Sequence, residues 1–373
     1  MKASSVLGII FSNTYDENIS ELTSVRTMGS VPFAGRYRLI DFILSDMVNC
    51  GISKVGISTK SNYQSLMDHL GSGKPWDLSR KREGITLLPP FSLIGKGNAG
   101  GMFSGRIDAI ANMMNYISRG GKEYVIFADC NVVCNLDYGK IIDDHIESGA
   151  DITIAYKRGV RPKLSNLMTF ELEGDKIVKL ETADTKDTAV NYSLNILVIR
   201  RVLLERLIDG AVSMGYTSFE RDIIARNLDS LYIRGHKVEE YAMTIDSLQS
   251  YYDISMGLVN GSYKELFNRE RTIYTKVRDD VPAVYGICSK AGNSLIADGC
   301  IIKGTVENSI LFRGVYVAEG AVVKDSVIMQ DTYISQGSKI NCAILDKEVV
   351  VKPNRELSGA PTYPLYIGKN ITV

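Results

Sequence analysis

Few side chains in this sequence are spaced to do chemistry. Its three histidines, His69, His145 and His236, lie far apart. Six cysteines (Cys50, Cys130, Cys134, Cys288, Cys300 and Cys342) are scattered. Cys130 and Cys134 stand four apart, but no second Cys/His pair completes a zinc site. They read as small buried hydrophobes in a reducing cytosol, which makes the expected location cytoplasmic. The cations Arg36, Arg38, Lys60, Arg80, Lys81 and Arg82 form a basic cluster able to hold an anion. Within it the run 80–82, flanked by polar residues, reads better as solvated surface.

The background is that of an ordinary globular chain. The 373 residues predict two or three domains at roughly 150 residues each. Hydrophobic residues make up 45% and charged residues 23%, and 43 Lys+Arg balance 43 Asp+Glu. That neutrality argues against nucleic-acid partners and against an electrostatic membrane anchor. No apolar run is long enough to span a bilayer, and the short stretch 6–11 reads as a buried strand rather than a signal peptide.

Positioning elements follow from the hydrophobic pattern. Residues 6–11, 54–58, 124–128 and 151–156 read as buried strands; 39–49, 61–70 and 108–119 have helical spacing. Strands alternating with helices predict a Rossmann-like α/β domain over 1–244, with a mostly parallel sheet whose ligands bind beyond the strands' carboxyl ends. A connecting helix and linker follow over 245–290. From 291 to 373, Ile310, Tyr316, Val322, Ile328, Ile334 and Ile340 recur every six residues among glycines. That period predicts a left-handed hexapeptide β-helix with the repeated aliphatic side chains pointing inward.

Several stretches carry a resemblance. Val31-Pro32-Phe33-Ala34-Gly35-Arg36-Tyr37-Arg38-Leu39-Ile40-Asp41-Phe42, Gly51-Ile52-Ser53-Lys54-Val55-Gly56-Ile57-Ser58-Thr59, Gly105-Arg106-Ile107-Asp108-Ala109 and His145 with Ser148-Gly149-Ala150-Asp151 stand in the order of the glucose-1-phosphate adenylyltransferases. The chain resembles that family, ADP-glucose pyrophosphorylases of bacterial glycogen synthesis, over nearly its whole length. Trp76-Asp77-Leu78 and Leu87-Leu88-Pro89-Pro90-Phe91 resemble its non-catalytic, regulatory D-type subunits in particular. The resemblance implies a nucleotidyltransferase-like domain that joins ATP and glucose 1-phosphate into ADP-glucose and pyrophosphate. Such transfer rests on positioning and on neutralising phosphate charge, usually with Mg²⁺.

Against that implied machinery the chain departs at five places. The family's glycine-rich turn is replaced by residues 13–23, which contain no glycine but add Asp16 and Glu17, with Asn18 at an arginine position. Met28 stands at a phosphate-binding lysine. Asn131 and Tyr241 occupy the positions aligned with two metal-binding aspartates, and Ala183 that of a sugar-phosphate lysine. Glu181 and Ser193 would be remnants of the sugar pocket; Lys60, Gly105 and Asp108 would be remnants of the nucleotide pocket. The resemblance therefore implies a regulatory subunit with no catalytic residues and no required cofactor, paired with a catalytic paralogue in a hetero- or homotetramer. An active enzyme with relocated ligands is the alternative: Asp129, Glu240 and Asp108 would hold Mg²⁺, with Lys60 or Arg106 on the phosphates. A third reading is a module that senses a nucleotide or sugar phosphate without turning it over. An acyltransferase is disfavoured, because all three histidines lie outside the solenoid.

Overall fold

The computed structural model describes residues 2–89, 105–181 and 189–373. Nine strands form the main sheet: β1 (Val6–Phe11), β2 (Lys54–Ser58), β3 (Gly84–Leu88), β4 (Tyr124–Asp129), β5 (Ile152–Gly159), β6 (Thr169–Glu173), β7 (Lys176–Glu181), β8 (Val190–Arg200) and β9 (Ile233–Lys237). Their spatial order is β3-β2-β1-β4-β8-β5-β9-β7-β6. The first four are mutually parallel, and β8 enters antiparallel to both β4 and β5. Since the chain runs from β1 outward to β3 and then returns to β1's other side, strand order reverses between β1 and β4. That is where an open α/β sheet leaves a crevice.

Strand alternation divides the core. Val6 and Ile10 of β1 and Ile126 of β4 pack on one face with helix α1 (Leu39–Asn49) and helix α3 (Tyr138–Ser148), counting α2 as Arg106–Ser118. Leu7, Ile9, Val125 and Phe127 pack on the other, with α2 and α4 (Arg201–Ser213). Both faces are covered, so these strands are continuous apolar runs. Gly8 is dictated by this closeness: a Cβ there would lie 2.6 Å from Met47 Sδ on α1.

The C-terminal region is a parallel β-helix of three five-stranded sheets, whose first strand is Val284–Tyr285. The six-residue series only partly describes its interior. Ile328, Ile334 and Ile340 do face inward. Tyr316 and Val322 face out, with Val317 and Val323 inside in their place, and Ile310 packs against the α/β core. The reason is coil length. Equivalent corners Asn308 and Asp325 are 17 residues apart, one short of three hexads, and Asn293 and Asn308 are 15 apart. A fixed hexad count therefore slips by one residue across a 17-residue coil and by more across the 15-residue one.

The two regions share one core. Phe312, Val327, Met329 and Ile344 of the β-helix join the cluster of Phe33, Phe42 and Tyr251. Tyr251, on α5 (Leu248–Gly257), donates to the Pro32 carbonyl at 2.7 Å, and Arg26 pairs with Asp346 at 2.9 Å. All six cysteines are free, but Cys288 is exposed and Cys50 half-buried, against the expectation that all are buried. No helix among the described residues is long and apolar enough to cross a membrane.

Candidate functional site

The carboxyl ends of β1, β2 and β4 are level, because Phe11 pairs with both Ser58 and Asp129. Beyond them opens a cleft of about 360 Å³, lined by Asn13, Thr14, Thr59, Lys60, Gly105 and Arg106 among others. Lys60 and Gly105 both line it. Asp108, in the first turn of α2, does not line it.

Arg106 dominates the cleft floor. Its guanidinium lies 2.5 Å from Asp129 and 3.4 Å from Glu220, and 4.9 Å over the Phe11 ring. Burial pushes the Asp129 carboxyl up to about 6 even though Arg106 opposes the shift. Burial works against the charge on Arg106, but Asp129 and Glu220 more than offset it. Tyr15 closes the back of the cleft: burial, then Asp129, raises its hydroxyl well above the ordinary range, and Asn195 Nδ2 donates to it at 3.0 Å. Neither Glu220 nor Asn195 carried a sequence signal. One sits in an irregular turn, the other at a β-bulge between Ser193 and Ile196 with φ +56°.

The glycine-free loop after β1 is held by Asp16. Its carboxylate accepts the Met28 N–H at 2.8 Å and the Asn13 side-chain amide at 2.5 Å. Asn13 Oδ1 in turn accepts the Lys60 N–H at 2.9 Å, tying loop to β2. Burial pushes Asp16 up to about 6 despite the bonds from Asn13 and Met28. Met28 is buried in the core, and Asn18 donates to the carbonyls of Lys163 and Asp246 at 3.4 and 3.3 Å. Two positions the resemblance links to phosphate binding are therefore used structurally.

The residues proposed for metal do not converge. Asn131 is buried and bonds the backbone at Ile245, while Tyr241 lies just before Ala242, which pairs with Cys134. In this antiparallel pairing Thr244 meets Val132 and Ile245 meets Asn131, so Tyr241 and Asn131 do not face each other. Glu240 is 3.7 Å from Lys140, and Asp129 is taken by Arg106. The alternative metal set of Asp129, Glu240 and Asp108 is therefore not assembled, and among the described residues no group of three His, Cys, Asp or Glu is placed to hold a metal. The donors present do not fit Mg²⁺, which needs convergent carboxylates.

Of the sugar-pocket residues, Ser193 is buried and its Oγ accepts the Asn195 N–H at 2.9 Å, stabilising the bulge. Glu181 ends β7, opposite Thr169. Ala183 lies outside the described residues.

A second cleft, about 390 Å³, lies where the β-helix meets the α/β domain. It gathers Arg36, Arg38, Lys276, Arg278, Arg313 and Lys347. Burial, then Arg38 and Arg26, pulls Lys347 down to about 7. The Nε of Arg313 is buried without a hydrogen-bond partner among the described residues. Only Arg36 and Arg38 of the sequence's basic cluster reach this cleft. Lys60 lines the other, Arg80 pairs with Asp77 at 2.5 Å, and Lys81 and Arg82 are exposed. Four of the six cations were missed because they come from residues 276–347, far along the chain.

Residues 8–181 match the nucleotidyl transferase family, and 282–360 the GlmU-like C-terminal hexapeptide family. The chain is 37% identical over 367 residues to the glycogen biosynthesis protein GlgD of Bacillus subtilis (strain 168), covering 98% of this chain and 96% of that one. It is 38% identical over 322 residues to GlgD of Geobacillus stearothermophilus, covering 85% and 82%. With the glucose-1-phosphate adenylyltransferase of Pseudothermotoga lettingae it shares 34% over 325 residues, covering 85% and 76%. A nucleotidyltransferase sheet joined through one core to a left-handed hexapeptide β-helix, and this identity along both, place the chain in the glucose-1-phosphate adenylyltransferase family.

Proposed function

We propose that this chain is a regulatory, catalytically degenerate subunit of glucose-1-phosphate adenylyltransferase that tunes a catalytic paralogue in glycogen biosynthesis. It would act in the cytoplasm, within a hetero- or homotetramer. The observation that carries this reading is the Arg106–Asp129 pair, 2.5 Å apart. In the reaction, a phosphate oxygen of glucose 1-phosphate attacks the α-phosphorus of ATP and pyrophosphate leaves. Free cations or a metal must stabilise the charge that develops on the phosphates. Here the cation at the crevice floor is neutralised by Asp129 and Glu220, and the carboxylate at the end of β4 is engaged by Arg106.

The basic interdomain cleft favours a sensing role within the same reading. Its crowded cations supply what an anionic metabolite needs, and it lies at the junction through which one domain would influence the other. A coupling of about 1–3 kcal/mol between such a site and a partner's active site is ordinary for allosteric proteins.

The test is ADP-glucose synthesis from Mg²⁺-ATP and glucose 1-phosphate, with this chain alone, a catalytic paralogue alone, and the mixture. The reading expects negligible turnover alone and altered turnover or effector response in the mixture. Turnover by this chain near that of the paralogue would overturn it.

A further inference from the structure

The interdomain cleft collects cations without an acid of its own: among its described lining residues none is Asp or Glu. Part of that charge is met from outside. Arg278 pairs with Asp280 at 3.2 Å and Asp331 at 3.8 Å, Lys276 donates to the Asp68 carbonyl at 2.6 Å, and Arg38 donates to the Ser65 hydroxyl at 2.9 Å. The buried Nε of Arg313 has no partner among the described residues. Lys347 lines the same cleft, half-buried, and its side chain pairs with no carboxylate among the described residues. Asp346, the acid next to it along the chain, is engaged by Arg26 at 2.9 Å and by the Tyr366 hydroxyl at 3.0 Å.

An amine so placed has two ways to relieve the crowding. Losing its proton removes one positive charge but supplies no anion. Reaction with CO₂ does both. Burial, then Arg38 and Arg26, pull the Lys347 amine down to about 7, with Asp346 opposing, so near neutral pH a large share of it carries a free electron pair. The cleft, about 390 Å³, has room for one added carbon and two oxygens.

We infer that Lys347 is a carbamylation site: its neutral amine takes up CO₂, and the carbamate is held by the arginines of the interdomain cleft. The nitrogen lone pair forms an N–C bond to the CO₂ carbon, one C=O π pair moves onto oxygen, and a proton leaves the nitrogen for water. Nothing is oxidised or reduced. Lys347 thereby changes from a cation into an anion with two acceptor oxygens, the geometry that guanidinium donors match. An anionic metabolite entering the cleft would have to displace that carbamate, so CO₂ would weaken its binding.

The test uses the intact chain at about pH 8, equilibrated with ¹³C-bicarbonate and its dissolved CO₂. Carbamates are trapped by O-ethylation with triethyloxonium, and each lysine is read by peptide mass spectrometry. At that pH an amine held at about 7 is about nine-tenths neutral, whereas an ordinary lysine, near 10.4, is less than about one-hundredth neutral. Lys347 should therefore carry at least about ten times the label of the exposed Lys81. Arg38→Met removes both a neighbour that keeps the amine neutral and a partner for the carbamate, so labelling of Lys347 should fall severalfold while that of Lys81 stays. Equal labelling of Lys347 and Lys81 in the wild type overturns the inference, as does unchanged Lys347 labelling in folded Arg38→Met. If Arg38→Met does not fold, the wild-type ratio decides alone. No partner and no turnover enter this measurement, so its outcome stands apart from the regulatory reading.

Discussion

Replacing Arg106 by Met separates charge from packing in the crevice. Asp129 is fully buried and the Arg106 side chain is 13% exposed, so the variant leaves a carboxylate without its counter-ion. Breaking a buried pair from one side costs about 3–5 kcal/mol when the remaining charge cannot be relieved. Relief is available through protonation, which makes the loss depend on pH. In the wild type, burial already holds Asp129 up at about 6, above the roughly 3.9 of an unfolded aspartate. A raised acid destabilises the fold in its ionised form. That penalty is absent below about pH 4, grows as pH rises to the folded pKa, and then levels off. Without Arg106 the folded pKa climbs further, so the penalty keeps growing above about pH 6 where the wild type's has levelled. Glu220, at 3.4 Å, loses the same partner.

The assay is the urea midpoint of wild type and variant at about pH 5 and about pH 8. Arg106→Met should lose about 3–5 kcal/mol at the higher pH and clearly less at the lower. Adding Asp129→Asn to the variant should recover much of the loss at high pH and flatten the pH dependence. Equal loss at both pH values, with no recovery from Asp129→Asn, would refute the electrostatic argument. Arg106 would then act by packing on Phe11, whose ring lies 4.9 Å beneath it.

Two further perturbations probe the junction of the domains. Lys347 is pulled down to about 7 by burial and by Arg38 and Arg26, so its charged form disfavours the fold below that pKa and stability gained from its neutralisation should appear as pH rises from about 7 toward 10; Lys347→Met should melt higher at pH 6–7 by roughly a few degrees and lose that rise, and thermal melts across this window check it. Phe312, 1% exposed between β-helix and α/β core, should cost about 3–5 kcal/mol as Phe312→Ala, in one transition shared by both regions; a variant that melts in two well-separated steps would contradict the common core.

Much of the fold is legible because it is local. The runs at 6–11, 39–49 and 54–58 have the stated elements at the stated bounds, since burial on both sides of a sheet leaves an uninterrupted apolar signature. The β-helix is legible in kind, but its inward set is not, because a coil of 17 residues carries no constant hexad phase. The site is less legible still. Arg106 and Asp129 are 23 residues apart and meet only across α2 and β4, and Arg26 and Asp346 are 320 apart. Asn131 meets Ile245, 114 residues along the chain, only through the pairing of Val132–Cys134 with Ala242–Thr244. Counting cannot anticipate register.

The pattern of pairing in the crevice says more than the loss of ligands alone. An active site stripped of its substrate partners leaves buried polar groups unsatisfied, at about 1–3 kcal/mol each. Active sites are commonly unstable for this reason, and substitutions that relieve them stabilise the protein at the expense of function. Here the main charged groups are relieved: Arg106 by Asp129 and Glu220, and the Met28 N–H and Asn13 amide by Asp16. The relief is local to the crevice. At the interdomain cleft the opposite holds, with Lys347 and Arg313 both depressed by burial and by neighbouring arginines. A chain drifting toward stability alone would quench that cluster by one substitution to a neutral residue. That Arg106 is paired within the crevice while Lys347 and Arg313 at the interdomain cleft keep charge that burial disfavours, with Arg278 paired to Asp280 and Asp331, is what a subunit would show if it had given up turnover and kept a place for an anion.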